Sequence, residues 1–261
     1  MDTEKAMIEI ASNVISEVAK PAYDDLVHPA AIETGKAIGR IPRLLNALCI
    51  KFDIWATRQE HNLKMVENEL EKQLHDTPPE KIVEPDPYIA VPALQAISYS
   101  YDNDELRSMY AHLLSKAMHE DYSTQVHPSF IEIIKQLSPT DCLIFKEIMS
   151  RKINPLLDAV LQIDPKNPMC TPPLKNIIAL DCCKDYLESK ISLDNLERLK
   201  LIEIPLNSYY TDKNEYNQLF ELPICKDLKA AYGDLIKFNE RIILKTDFSD
   251  LFHKVCVKDI Q

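Results

Sequence analysis

The 261-residue chain is 46% hydrophobic and 27% charged, proportions that suit one or two soluble domains. Its three glycines, Gly35, Gly39 and Gly233, are too few and too scattered for a P-loop or Rossmann phosphate cradle, where the backbone must approach an anion closely. With 30 Lys+Arg against 41 Asp+Glu, the formal charge of −11 disfavours phosphate backbones and anionic lipid, and turns the expectation toward protein partners.

Met7, Ile10, Ala11, Val14 and Val18 recur at three- and four-residue spacing behind Asp2-Thr3-Glu4, which predicts an opening amphipathic helix stopped by Lys20-Pro21. A second stripe, Leu44, Leu48, Phe52 and Trp55, resumes at Leu63, Val66, Leu70 and Leu74. It predicts one long helix from Pro42 to Leu74, roughly 45 Å at about 1.5 Å per residue, ended by Thr77-Pro78-Pro79 because proline removes a donor and clashes with the preceding turn. The five prolines at 78, 79, 85, 87 and 92 predict an extended crossover, with Pro92 opening a short helix from Ala93 to Tyr99. Asp102-Asn103-Asp104-Glu105 then supplies an N-cap and an acidic first turn. The helix behind it turns Leu106, Met109, Tyr110, Leu113, Leu114, Ala117 and Met118 inward. His127-Pro128-Ser129-Phe130 opens the next helix, with Ile131, Ile134 and Leu137 apolar.

Ser138-Pro139-Thr140-Asp141 is a capping signature with proline at the first helical position, leading into Leu143, Ile144, Phe145, Ile148 and Met149. The charge texture changes here: residues 1–136 hold 13 basic and 22 acidic side chains, whereas 137–261 hold 17 and 19. A domain boundary is therefore placed near Gln136, giving a helical domain 1–136 and a second domain 137–261. In the latter, Leu156 to Ile163 reads as a strand and Leu174 to Ser189 as a helix. Ser192 to Leu199 reads as a capped helix running into a strand at Leu201 to Pro205, Arg241 to Lys245 as the returning strand, and Asp247 to Val257 as the last helix. That order is a winged helix with an insertion of about 30 residues between the wing strands, longer than most connections. The expected fold class is mainly α: an N-terminal helical domain with one long helix, followed by a winged-helix-like α+β domain.

Several ordered blocks carry a family resemblance: Tyr23-Asp24-Asp25-Leu26-Val27-His28-Pro29, Glu33-Thr34-Gly35-Lys36-Ala37-Ile38-Gly39, Pro79-Glu80-Lys81-Ile82-Val83-Glu84-Pro85 and Glu105 to Leu114. Val126 to Phe130, Gln136 to Pro139 and Leu193 to Ile202 continue the series. In this order they resemble the bacterial abortive infection alpha family, over roughly Ala19 to the end of the sequence. The resemblance implies a role in defence against bacteriophage by curtailing growth or survival of the infected cell, and it brings no catalytic residue with it. Members often carry glycine where this chain has Lys200, and again near Ser249, so different turns are expected at both places.

Candidate sites divide between chemistry and packing. His112 and His119, seven apart with Glu105 a heptad earlier, could face a metal ion from one helix side. Two turns separate them by about 10 Å, which favours partly exposed, hydrogen-bonded histidines instead. The seven cysteines lack CxxC spacing and suit a reducing cytoplasm; the neighbours Cys182 and Cys183 are read as buried apolar packing on a helix rather than a disulfide or a nucleophile. Ser192 to Lys200 is the segment a DNA-binding winged helix would insert, yet Asp194 and Glu197 balance Arg198 and Lys200. Arg40 to Trp55, with Phe52 and the single tryptophan Trp55, fits a bundle core and alternatively a membrane interface. Gly35-x-x-x-Gly39 fits close helix packing in either setting.

These readings lead to an antiphage protein that works through protein interaction rather than catalysis, with Arg107, His127, Phe52 and Trp55 as candidate interaction residues. No cofactor or metal is expected; a protein partner is, with homo-oligomerisation left open and nucleic acid disfavoured. The alternatives are a DNA-binding winged-helix regulator and a membrane-active growth-arrest effector. The expected location is the bacterial cytoplasm, with peripheral contact at the inner membrane kept open. The acidic first half would face the partner or carry toxicity, and the second domain would act as sensor or scaffold.

Overall fold

The structure, a computed structural model, describes residues 68–97, 103–162 and 171–260. The chain is mainly helical with one small antiparallel sheet, and it divides into two compact units, Met1–Ile131 with Asp259–Gln261, and Glu132–Lys258. The opening helix, the Gly35–Gly39 pair, the Arg40 to Trp55 segment and most of the long helix lie outside the described residues.

In the first unit, residues 68–74 are helical (α1) and bury Leu70 and Leu74 of the expected stripe. The helix ends ahead of Pro78-Pro79, where the Thr77 N–H donates to the Leu74 carbonyl at 3.0 Å. The crossover that follows is shorter than the prolines suggest. A 3-10 turn at Pro79–Lys81 leads to a single antiparallel bridge between Ile82 and His119, and α2 (Pro87–Ile97) begins well before Ala93. The overlooked signal is Asp86-Pro87: the Asp86 carboxylate accepts from the Tyr88 N–H at 2.8 Å, and Pro87 takes the first position, where an N–H is not needed. Pro92 consequently lies inside the helix at the cost of one internal hydrogen bond. Burial of Ile89, Ala90, Ala93, Ala96 and Ile97 holds the helix despite it.

Helix α3 (Asp104–Ala117) starts as predicted, with the Asn103 side chain accepting from the Leu106 N–H at 2.9 Å. Every residue from Met109 to Ala117 is buried, so α3 is a central helix rather than one with a single inward stripe. Two short helices follow, α4 (Glu120–Ser123) and α5 (Ser129–Ile134), and the second buries Phe130, Ile131, Ile133 and Ile134.

In the second unit, α6 (Pro139–Ser150) carries the full reciprocal cap read from its sequence. Ser138 Oγ accepts from the Asp141 N–H at 3.0 Å and Asp141 Oδ2 accepts from the Ser138 N–H at 2.7 Å. Strand β1 (Pro155–Leu161) forms where expected and is the centre of a three-stranded antiparallel sheet in the order β2-β1-β3. Strand β2 (Thr171–Ile177) overturns the helix expected from Leu174: Leu174 pairs with Ala159 and Ile177 with Leu157, so the apolar positions that mimic a helical period serve as cross-strand partners. An irregularity in that ladder goes with Asn176, whose φ is +59°.

The next helix, α7 (Tyr186–Arg198), starts at an Asp185 cap rather than at Ser192, which is buried within it. It ends in a turn in which the Leu201 N–H donates to the Leu196 carbonyl at 2.9 Å and the Lys200 N–H to Glu197 at 3.0 Å. Lys200 takes φ +61°, so lysine adopts the left-handed conformation that ordinarily favours glycine. The Ser249 turn also keeps a regular form: Ser249 and Thr246 make a reciprocal cap for α10 (Asp247–Cys256), the predicted last helix.

Leu201 to Pro205 is not a strand but makes one bridge, Glu203 with Leu244. Arg241 explains why, since its guanidinium donates to the Ile204 and Pro205 carbonyls, both at 3.1 Å, and occupies acceptors a ladder would need. The intervening segment holds a 3-10 turn at Lys213–Tyr216, helices α8 (Asn217–Phe220) and α9 (Pro223–Tyr232), and a 3-10 turn at Gly233–Leu235. Strand β3 (Ile236–Ile242) begins earlier than the expected Arg241 because the whole segment from Ile236 pairs with β1, from Leu161↔Ile236 to Pro155↔Ile242. A core of Leu157, Ala159, Ile177, Tyr216, Leu219, Cys225 and Ile236 joins the sheet to the inserted helices.

Candidate functional site

The densest polar arrangement of the first unit lies where α1 meets α3. Gln73 of α1 and His112 and Lys116 of α3 are nearly buried, Lys116 being only 1% exposed, and all three converge on Asp259. Gln73 Nε2 donates to Asp259 Oδ1 at 2.6 Å, His112 Nε2 lies 3.1 Å from the same oxygen, and Lys116 Nζ donates to the Asp259 main-chain carbonyl at 2.8 Å. The imidazole is oriented by Nδ1–H donating to the Ser108 carbonyl at 2.7 Å, which aims Nε2 at Gln73 and Asp259. The ammonium of Lys116 also sits 4.1 Å from the centre of the Tyr122 ring. Hydrogen bonds from Gln73 and then His112 hold the Asp259 carboxyl below its ordinary value. The arrangement has the chemistry to hold a carboxylate and an adjacent peptide carbonyl together.

The two histidines read as a pair do not share a helix. His119 lies beyond the end of α3 and caps α4, its Nδ1 accepting from the Asp121 N–H at 3.2 Å. Both are buried rather than partly exposed, and burial pushes the His119 value down, in keeping with a neutral ring that accepts. Among the described residues, no group of three His, Cys, Asp or Glu side chains could hold a metal ion. Arg107 is buried, with its guanidinium on Asp104 of the same helix, while His127 is exposed and its Nδ1 accepts from the Ser129 N–H at 3.1 Å. Phe52 and Trp55 lie outside the described residues.

Cys182 corrects a second expectation: it and Cys183 precede α7 in a non-helical segment, and Cys182 is exposed. Burial of its sulfur, and then the Glu147 carboxylate beside it, push its thiol up to about 12, the reverse of what a nucleophile requires. Glu147 accepts from the Asp181 and Cys182 N–H groups at 2.8 and 2.9 Å and pairs with Arg151, which also donates to the Ala179 carbonyl. Arg151 borders a cleft of about 330 Å³ with Lys152, Pro155, Glu215 and Gln218, so its charge is already committed to the fold. Cys225, pushed up to about 11 by burial, and the fully enclosed Cys256 pack as apolar groups.

The described chain is a two-unit, mainly helical protein with a small sheet and a buried polar cluster in its first unit. Sequence comparison supplies the family: the profile for abortive infection alpha matches residues 58–256, and the chain belongs to that family. No curated protein and no solved structure matches it.

Proposed function

We propose that this protein defends bacteria against bacteriophage by abortive infection and does so by contacting other proteins rather than by catalysis. Membership of the abortive infection alpha family over residues 58–256 carries the defence reading. A protein-contact mechanism is supported by large apolar side chains left at the surface, among them Leu187 and Ile191, one turn apart on α7 and 61% and 59% exposed. The acidic composition favours such partners over nucleic acid. The proposed location is the bacterial cytoplasm; among the described residues no helix is long and apolar enough to cross a membrane, and peripheral contact through Phe52 and Trp55 belongs to the membrane-effector alternative.

A winged-helix DNA regulator is the second reading, favoured by the sequence of α6, α7, the Glu203–Leu244 bridge and α10, which follows a helix, helix, wing and helix order around the inserted sheet. Its α7 cations are internally engaged, Lys190 with Asp194 at 2.6 Å and Arg198 with Asn195 and Gln136, leaving little basic excess for phosphates. Plating efficiency and infected-culture growth with and without the gene, at low and high phage dose, test the first reading. Protection at low dose with early arrest or collapse at high dose is the expected result, and no protection across a broad phage panel counts against it.

A further inference from the structure

The Asp259 contact holds a carboxylate oxygen and a main-chain carbonyl of one short non-helical segment with three side chains from two helices. Lys116, 1% exposed, would not be sunk this deeply without compensating partners, because a buried ammonium costs several kcal/mol unless it is hydrogen-bonded. The resident segment nevertheless holds on by its edge: the Asp259 side chain remains 81% exposed, and exposed ion pairs contribute little. The receptor side is also incompletely used. Among the described residues, Gln73 Oε1 is buried with no hydrogen-bond partner although the same amide bonds Asp259 through its nitrogen, and Thr77 Oγ1, one turn further on in the chain, is likewise buried and unpartnered.

We propose that Gln73, His112 and Lys116 form a docking site for an aspartate-bearing peptide segment, and that the chain's own segment around Asp259 is its displaceable resident ligand. The site then alternates between a closed state filled in cis and an open state able to take the same segment from outside. This stands apart from the antiphage reading, since it concerns only what the site recognises.

The test uses the full chain and a peptide of residues 257–261 that carries fluorescein on its N-terminus and is amidated at its C-terminus, so that the Asp259 carboxylate is its acidic side chain. Anisotropy should show salt-sensitive binding to the Asp259→Lys chain. Binding to wild type should be at least about tenfold weaker, because the tethered segment competes at high effective concentration. Lys116→Met added to Asp259→Lys should abolish binding, as should replacing aspartate by asparagine in the peptide; Gln73→Glu, which sets a second carboxylate against that of the peptide, replaces Lys116→Met if the latter does not fold. Equal binding to wild type and Asp259→Lys, or none to an Asp259→Lys chain with wild-type circular dichroism and melting, overturns the proposal.

Discussion

Removing the Asp158 carboxylate should damage the second unit more than any surface change. Asp158 lies on the central strand β1 with its side chain 9% exposed, and accepts from Arg241 Nη1 at 2.7 Å and from the Asn176 N–H at 2.9 Å. Arg241 in turn ties β3 to the Ile204 and Pro205 carbonyls. Asp158→Ala therefore strands a buried guanidinium and orphans one buried N–H on β2. Breaking a buried pair costs about 3–5 kcal/mol, and the two carbonyls Arg241 retains place this case near the lower end, at about 3 kcal/mol. Urea unfolding at neutral pH, followed by far-ultraviolet circular dichroism, measures it. The Asp158→Leu/Arg241→Met double variant should lose less than the sum of the single variants, with a coupling of at least about 1.5 kcal/mol. A single-variant loss under about 1 kcal/mol, or additive losses, would refute the reasoning.

At the end of α7, Lys200→Gly should stabilise the chain by about 1 kcal/mol, because φ +61° strains any residue with a Cβ; a lower urea midpoint would contradict this. Cys182 should be alkylated far more slowly at pH 8.5 than a free thiol although it is exposed, and Glu147→Gln should speed the reaction; mass spectrometry of the modified peptide reads both. The depressed Asp259 carboxyl makes its contact pH-dependent in one direction: the stabilisation is full above the ordinary carboxylate value of about 3.9 and is lost as pH falls through the lower folded value. Between pH 5 and pH 2, Asp259→Asn should therefore flatten the acid limb of the melting curve, and an unchanged limb would rule this out.

Local signals were legible wherever a residue's role is settled by its own neighbours in sequence. The Ser138–Asp141 cap, the Asn103 start of α3, the stop before Pro78-Pro79 and the amphipathic α10 could all be read directly, since each is a backbone donor satisfied within a turn or a stripe at helical spacing. The family could be read as well, and the profile over residues 58–256 bears it out, although the blocks at 23–29 and 33–39 lie outside that match. What misled was ambiguity of period: Leu174, Ile177 and Ile178 satisfy a helical pattern and a strand pattern alike, and only pairing with Leu157 and Ala159 decided for the strand. The same holds for Leu201 to Pro205, whose ladder was pre-empted by Arg241 from 36 positions away. The docking site was invisible for a related reason. Gln73, His112, Lys116 and Asp259 are up to 186 residues apart, and no spacing rule links an amide, an imidazole and an ammonium to a carboxylate that far along the chain. Short-range hydrogen bonding and hydrophobic periodicity are written into consecutive residues, whereas long-range polar convergence exists only once the backbone has closed on itself.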